Sequence, residues 1–383
     1  MAKKYNTLWT NVQTLVETPG PSGSEHIIRK KIRAEIEGFA DEVRTDALGN
    51  LIARKGALKE GGKRIMISAH IDEIGLMVTH VDENGFARFM PIGGINPMTC
   101  TGGRVLFMNG TRGVIGIERL GKDEQPVPAK FYIDTGATSK ADSKIGVGDV
   151  CGFDRPFLDL GKRLVAKSMD DRVAAAIAME ALKEVKPGVN ELYFVFSVQE
   201  EVGIRGAITA AYSVDPEVGL AVDVTRTGDT PKGIKMEVAL GKGPAIKVRD
   251  GGMLADPRVI RWMVAAAEKL GLPYQMEVLE GGTTDARAIQ LSRFVIIAGD
   301  AAHRRAEQHH RRCRNRQQGA DDDAPHRDVR IRQPAHRRQA HQAQQIVGKT
   351  PASVVDIGPG HPDQQRAADR GQVVGRPKER AQL

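Results

Sequence analysis

Cysteines and long apolar runs are scarce in this chain. Only three cysteines occur in 383 residues, at Cys100, Cys151 and Cys313, and they form no Cys-x-x-Cys pair. This spacing argues against a disulfide framework and against a thiolate zinc site. No segment approaches the roughly 18 consecutive apolar residues of a membrane-spanning helix, and the N-terminal stretch MAKKYNTLWTNV has no apolar signal-peptide core. We therefore expect a cytoplasmic protein without a membrane partner.

Large apolar residues are missing from the C-terminal part of the chain. Residues 300–383 contain no Phe, Trp or Tyr and a single leucine, and they hold 17 Lys and Arg against 10 Asp and Glu. Their net charge of +7 accounts for most of the +8 of the whole chain. A segment of this composition cannot bury enough apolar surface to offset the entropy lost on ordering. The sequence therefore predicts a disordered basic tail.

Three interpretations of this tail compete. Its arginines are scattered without the helical or aromatic pattern of a nucleic-acid-binding arm, so we expect no nucleic-acid partner. A natural solvated extension is the second interpretation. We favour the third, an out-of-frame translation of a GC-rich gene, because such a frame yields text rich in Arg, Gln, His, Ala, Pro and Asp.

The residues before the tail alternate between helix-like and strand-like patterns. Residues 171–185 (DRVAAAIAMEALKEV) predict an amphipathic helix with an acidic first turn, and residues 64–70 (RIMISAH) a buried strand. Such alternation predicts an α/β core with a mostly parallel or mixed sheet. The predicted helices are 11–17, 24–38, 171–185, 204–211 and 256–270, and the predicted strands are two within 41–54, then 64–70, 164–168, 192–198, 219–224, 274–279 and 294–298.

One stretch of the chain has a different pattern. Between the two α/β parts, short alternating runs are separated by glycines and by the hairpin signal Glu83-Asn84-Gly85. This pattern predicts a small β domain inserted into the α/β core. The predicted organisation is a first catalytic part at 1–73, the inserted β domain at 74–163, a second catalytic part at 164–299 and the tail at 300–383.

A histidine and several carboxylates follow the predicted strands. Because the carboxyl ends of strands in such a sheet meet at one edge, these side chains should lie close together. Clustered carboxylates repel one another unless cations neutralise them, and a mixed histidine and carboxylate set suits Zn, Co or Mn better than Mg. The residues are His70 and Asp72 after strand 64–70, Asp170 and Asp171 after 164–168, Glu200 and Glu201 after 192–198, and Asp223 after 219–224.

The segments that carry these residues resemble a known family. AHIDEIGLM, KSMDDR, QEEVGIRGA, AVDVT and GGTTDARAIQLSR, with TPGPSGSE near the N-terminus, are similar in order and spacing to motifs of the dinuclear metallo-aminopeptidases. That family includes glutamyl, deblocking and tetrahedral aminopeptidases and proteins named endoglucanase M. The resemblance covers about residues 5–293. It implies a mixed-sheet metallopeptidase core, peptide substrates, two divalent metal ions (Zn or Co), and a homo-oligomer, since the family forms dodecamers.

The resemblance also implies roles for single residues. Glu200 is then the general base that takes a proton from the attacking water, and Asp72 orients His70. Four residues are then metal ligands: His70 and Asp223 on the first ion, Asp170 bridging both ions, and Glu201 on the second ion.

The sequence departs from the family pattern at one ligand. In that family the last ligand of the second metal is a histidine within a Tyr-x-His-Ser motif. No such motif follows Arg293 in this sequence. His303, His309 and His310 lie nearby, but their setting is basic and rich in polar residues, and we assign none of them. The second metal site is therefore predicted to be incomplete, and an inactive product is one alternative.

The other alternative is an endo-1,4-β-glucanase-type glycosidase. Such an enzyme would use Glu200 or Glu201 with a second carboxylate as acid and base. It needs no histidine such as His70, and cellulose grooves are normally lined with aromatic residues, of which this chain has only 4%. Both features favour the peptidase.

Two more acidic residues have open roles. Asp285 either faces the amino end of a bound peptide or caps the helix that follows it. Asp171 is expected to pair with Arg172 or to cap its own helix.

Overall fold

A computed structural model describes the backbone of residues 2–292 and 297–302 and the side chains of residues 7–292. The α-helices in these ranges are α1 (Ala2–Glu17), α2 (His26–Ile36), α3 (Met169–Glu184), α4 (Arg205–Val214), α5 (Pro257–Lys269) and α6 (Asp285–Gln290). The first strands are β1 (Glu42–Thr45), β2 (Leu51–Lys55), β3 (Arg64–His70), β4 (Gly75–Val81), β5 (Ala87–Ile92), β6 (Arg104–Phe107), β7 (Arg112–Ile117) and β8 (Phe131–Asp134). The remaining strands are β9 (Val150–Phe153), β10 (Leu158–Asp159), β11 (Leu164–Val165), β12 (Glu191–Ser197), β13 (Val218–Asp223), β14 (Ala245–Arg249), β15 (Gln275–Val278) and β16 (Ile297–Ala302).

Eight strands form a mixed sheet in the order β1-β2-β12-β3-β13-β16-β14-β15. The central strands β12, β3 and β13 are parallel, so their carboxyl ends lie at the same edge. On β3, Ile65, Ile67 and Ala69 contact the core beneath α1, α2 and α3, whereas Met66 contacts the core beneath α4 and α6. This alternation is the period of two that a strand covered on both faces requires. The predicted α/β fold with a mixed sheet is confirmed.

The inserted β domain is a closed barrel of six strands in the order β4-β5-β8-β7-β6-β9. Its interior is a separate apolar core that includes Val78, Phe89, Val105, Phe107 and Ile133. Closure leaves the barrel without a free sheet edge. The chain therefore leaves the main sheet after β3, completes a barrel, and returns ahead of α3.

Some predicted elements differ from the structure. The predicted strand 164–168 is wrong beyond Val165, because β11 pairs only with β10 in a separate two-stranded ribbon. Ser168 instead adopts the left-handed conformation (φ 55) that leads into α3. Strand β14, which lies between β16 and β15, was not predicted from the sequence.

Several predictions concern residues outside the described ranges. Of the predicted strand 294–298, residues 294–296 lie outside them, and β16 covers Ile297–Ala302. The predicted disordered tail likewise falls outside the described residues beyond 302. Within the described part of the chain, no helix combines the length and apolarity needed to cross a membrane.

Candidate metal centre

His70 ends β3, the central strand of the main sheet. Its ring is buried, with Nε2 2.9 Å from Oδ1 of Asp170 and Nδ1 3.3 Å from Oδ1 of Asp72. Burial disfavours a charge on the ring, but the contacts with the two carboxylates outweigh it and raise the pKa of His70 well above its ordinary value. The imidazole is therefore held between two of the predicted site residues.

Asp72 joins the end of β3 to the turn that follows β12. Its carboxylate is fully buried and accepts hydrogen bonds from the Ser22 hydroxyl (2.6 Å) and from the backbone N–H groups of Glu200 (2.9 Å) and Glu201 (3.2 Å). Burial opposes ionisation, yet the contacts with His70 and these donors hold the pKa of Asp72 below its ordinary value. Asp72 is therefore ionised at neutral pH and contacts both His70 and the segment that carries the two glutamates.

Asp170 and Asp223 approach His70 from two other elements. Asp223 is the last residue of β13, whereas Asp170 is presented by the first turn of α3, whose φ and ψ are not helical at this residue. One ligand atom from each of His70, Asp170 and Asp223 lies within 4.8 Å of the other two. An imidazole nitrogen and two carboxylate oxygens at this spacing could hold a divalent cation.

Glu200 and Glu201 lie in the turn that follows β12. The backbone turns there at Gln199, which has φ 57. Burial, aided by neighbouring carboxylates, raises the pKa of Glu200 to about 8 and the pKa of Glu201 to about 7. The structure thus brings six predicted site residues to one sheet edge, where burial and mutual repulsion oppose ionisation of the two glutamates.

Glu201, the fourth predicted ligand, lies against the inserted barrel. A Cβ atom added to Gly93, just after β5, would lie 3.3 Å from Oε2 of Glu201 and 2.8 Å from the Ile74 side chain. Gly93 also has φ +75, a conformation that side chains rarely adopt. The barrel therefore forms one wall beside Glu201.

The loop 18–25 supports the site, a role that the sequence analysis did not assign. Its Ser22 donates to Asp72, and its buried Glu25 accepts from the backbone N–H groups of Gly23 (2.7 Å) and Gln199 (3.2 Å). The text TPGPSGSE was part of the family resemblance, so a signal was present. The role of the loop depends on hydrogen bonds with residues that lie 50 and 174 positions away in the chain, so it could not be predicted from local sequence.

The expectation that Asp285 caps the following helix is wrong, and its position beside a bound peptide stays a prediction. Thr284 caps α6, whereas the fully buried Asp285 carboxylate accepts hydrogen bonds from Ser197 (2.5 Å) and Ser68 (2.6 Å). Burial raises the pKa of Asp285 despite these two donors. Asp285 therefore lies beneath the ends of β3 and β12, behind the candidate site.

Asp171 does not pair with Arg172. Both of its oxygens are buried without a hydrogen-bond partner among the described residues, and Arg172 instead reaches the backbone carbonyls of residues 15–20. Burial, together with the charge of Asp223, raises the pKa of Asp171 well above its ordinary value. An orphaned buried carboxylate beside Asp170 is consistent with a cation at this edge of the sheet.

Removal of metal is expected to make the stability of the protein fall as pH rises from about 5 to about 8. In the unfolded chain both glutamates ionise near 4.5, whereas in the fold the pKa is about 8 for Glu200 and about 7 for Glu201. Between these values the folded state binds more protons, so the free energy of unfolding declines with pH. A metal ion stabilises the ionised form and should offset the decline.

Thermal unfolding of chelator-treated protein at several pH values, with and without added Co²⁺, measures this effect. The Glu200→Gln/Glu201→Gln double variant is the control, because its glutamines do not titrate. Identical pH dependence in the variant and the parent protein would refute the prediction.

Comparison with known proteins gives consistent matches. The sequence matches the model of the M42 glutamyl aminopeptidase family over residues 49–312. A protein from Acetivibrio thermocellus named as an aminopeptidase is 44% identical over 283 residues, which cover 73% of this chain and 85% of that protein.

Solved structures of aminopeptidases are also similar to this chain. Aminopeptidase APDkam598 from the archaeon Desulfurococcus kamchatkensis superposes with a TM-score of 0.74 and 37% identity, covering 78% of this chain and 86% of that one. The TET1 peptidase of Pyrococcus horikoshii, which can assemble into a tetrahedron or a large octahedral shell, superposes with a TM-score of 0.67 and 32% identity, covering 77% and 90% of the two chains.

Proposed function

Because this chain belongs to the M42 glutamyl aminopeptidase family, and is thus a metal-dependent aminopeptidase, we propose that it removes N-terminal residues from peptides by a two-metal mechanism. The observation that carries the proposal is the convergence of His70, Asp170 and Asp223 within 4.8 Å, with Glu200 at the neighbouring strand end. These residues come from separate elements, so their meeting is not a consequence of local sequence.

The nitrogen and oxygen donors present fit two divalent ions, with Zn or Co as the proposed metals. His70 and Asp223 would hold the first ion, Asp170 would bridge both, and Glu201 would hold the second. When bound, such a pair polarises the scissile carbonyl and lowers the pKa of a shared water.

Glu200 is the proposed general base. Its carboxylate takes the proton of the attacking water and then gives it to the leaving amine. Burial and neighbouring carboxylates raise the pKa of Glu200 to about 8 in the absence of metal, so the nearby cations would have to lower it for Glu200 to accept a proton at neutral pH. Asp72 would orient the His70 ring through its contact with Nδ1.

The second ion is proposed to bind more weakly than the first. The sequence has no Tyr-x-His-Ser text after Arg293 to supply the histidine that the family uses there. Metal content after dialysis against low metal concentrations would then be closer to one ion than to two per chain.

The inserted β domain, residues 74–163, is proposed to control substrate access and to contribute to a homo-oligomer, while residues 1–73 and 164–299 build the catalytic part. Support comes from the Gly93 wall beside Glu201 and from the assemblies formed by the TET1 peptidase. We place the protein in the cytoplasm, where the unpaired buried Cys100 and Cys151 would remain reduced.

Hydrolysis of aminoacyl p-nitroanilides tests the proposed function. Chelator-treated protein should release little product, and Co²⁺ or Zn²⁺ should restore release. Carboxymethylcellulose assayed in parallel tests the glycosidase alternative. Release that is insensitive to chelator, or activity on the polysaccharide alone, would overturn the proposal, and no activity with metal bound would favour the inactive product.

A further inference from the structure

Glu73 is a buried carboxylate that the proposed mechanism does not use. It accepts hydrogen bonds from the backbone N–H of Gly20 (2.8 Å), the Lys167 ammonium (2.6 Å) and the Ser168 hydroxyl, and the Arg172 guanidinium lies 4.0 Å away. Glu73 and Arg172 are almost completely buried, and Lys167 is only 9% exposed. Three hydrogen-bond donors and the more distant Arg172 guanidinium therefore converge on one carboxylate.

Glu73 lies where the chain passes between the main sheet and the barrel. It follows β3 and precedes β4, while its partners Lys167 and Ser168 lie on the return segment after β11. The barrel strand β9 closes over it, since a Cβ atom on Gly152 would lie 3.1 Å from Oε1 of Glu73. Backbone bonds between Glu73 and residues 20 and 22 fasten the loop 18–25 to the same point.

The return segment leads directly into the backbone that presents Asp170. Ser168 has a left-handed backbone, and Asp170 and Asp171 depart from helical φ and ψ. Since the Asp170 side chain is 57% exposed, packing around that side chain does not determine its position. Besides its contact with His70, Asp170 depends on the backbone that precedes it, and the Ser168 and Lys167 side chains there both bind Glu73.

We propose that Glu73 is a positioning residue of the metal centre, which holds Lys167 and Ser168 and thereby the backbone that presents Asp170 to the first metal ion. The proposal rests on the proposed function only in taking Asp170 as a metal ligand. Residues that hold metal ligands in place typically contribute about 10-fold to 100-fold to metal affinity.

The test must separate positioning from the loss of a buried charge. Glu73→Gln alone leaves the Lys167 ammonium buried without its partner, which is expected to destabilise the whole fold. The Glu73→Gln/Lys167→Met double variant removes both members of the hydrogen-bonded ion pair and keeps similar side-chain volumes, while Arg172 keeps its hydrogen bonds to the carbonyls of residues 15–20. The matched control is Glu217→Gln/Lys63→Met, which removes a half-exposed ion pair of 3.1 Å far from this network.

Each variant is freed of metal and titrated with Co²⁺, followed by its visible absorption, and unfolded thermally in parallel. The Glu73→Gln/Lys167→Met variant should stay folded and bind the first Co²⁺ about 10-fold to 100-fold more weakly, with kcat reduced by a similar factor and KM changed less than about 3-fold. The Glu217→Gln/Lys63→Met control should match the parent protein.

First-site Co²⁺ affinity like that of the parent in the double variant would overturn the proposal, because Glu73 would then be a charge partner only. If the double variant fails to fold, Ser168→Ala replaces it, and affinity unchanged in that variant overturns the proposal equally. The Co²⁺ titration measures metal affinity and tests the role of Glu73 even if the parent protein hydrolyses no peptide. Failure of the proposed function would appear in the hydrolysis assay and not in the titration. A parent protein that binds no Co²⁺ would refute both.

Discussion

The Glu200→Gln protein is expected to lose about 10²-fold to 10⁴-fold in kcat while it still binds metal. Glutamine has nearly the same shape as glutamate but cannot take a proton from the attacking water. Because Glu200 is proposed as a base and not as a ligand, the metal content should stay that of the parent. The measurements are kcat and KM on an aminoacyl p-nitroanilide at saturating Co²⁺, and metal content after dialysis.

The control for this substitution is Glu83→Gln, which makes the same chemical change at a side chain that is 87% exposed on the barrel. It should leave kcat unchanged. A Glu200→Gln protein that retains more than about one tenth of the parent kcat would remove Glu200 from the role of general base. Loss of metal together with activity would instead make Glu200 a ligand.

The Arg172→Met protein is expected to be about 3–5 kcal/mol less stable than the parent. The Arg172 guanidinium is completely buried and donates to the carbonyls of Leu15 (3.0 Å), Thr18 (3.2 Å) and Gly20 (3.4 Å), beside the carboxylate of Glu73. Methionine fills a similar volume but donates no hydrogen bond, so each of these buried carbonyls loses the guanidinium donor, and Glu73 loses one of its two cations.

Urea unfolding of the metal-free proteins measures this loss. Arg112→Met is the matched control, since Arg112 is 72% exposed and its contact with Asp154 is a surface ion pair of 3.1 Å. Its cost should stay within about 1 kcal/mol. Equal stability losses in the two variants would show that the buried network around Glu73 contributes nothing beyond an ordinary surface contact.

The position of the candidate site could be predicted from the sequence because strands carry their own signal. The run RIMISAH alternates between the two cores, and its end places His70 at the sheet edge. The same reasoning located Glu200 after β12 and Asp223 at the end of β13. The family was confirmed as well, since its motifs are short, ordered segments that can be recognised without coordinates.

The structural setting of Asp170 could not be predicted from the sequence. It was expected after a strand of the sheet, yet it is presented by the non-helical first turn of α3, after Ser168 turns toward Glu73. No pattern within residues 164–171 encodes that turn, because the carboxylate that stabilises it lies 95 positions earlier in the chain. The hydrogen bonds of Asp285 with Ser68 and Ser197 likewise join residues 217 and 88 positions apart.

The sequence by itself determined the α/β class and the family, because these depend on local periodicity and on short motifs, and it predicted an inserted β domain and the residues of the candidate site. The tertiary structure alone decided how those residues are held. Ser22 donates a hydrogen bond to Asp72, and Glu25 accepts one from the backbone N–H of Gln199. Glu73 accepts hydrogen bonds from Gly20, which precedes the barrel in the chain, and from Lys167, which follows it. Such contacts join residues far apart in the chain and are formed only when the sheet, the barrel and the loop 18–25 pack together.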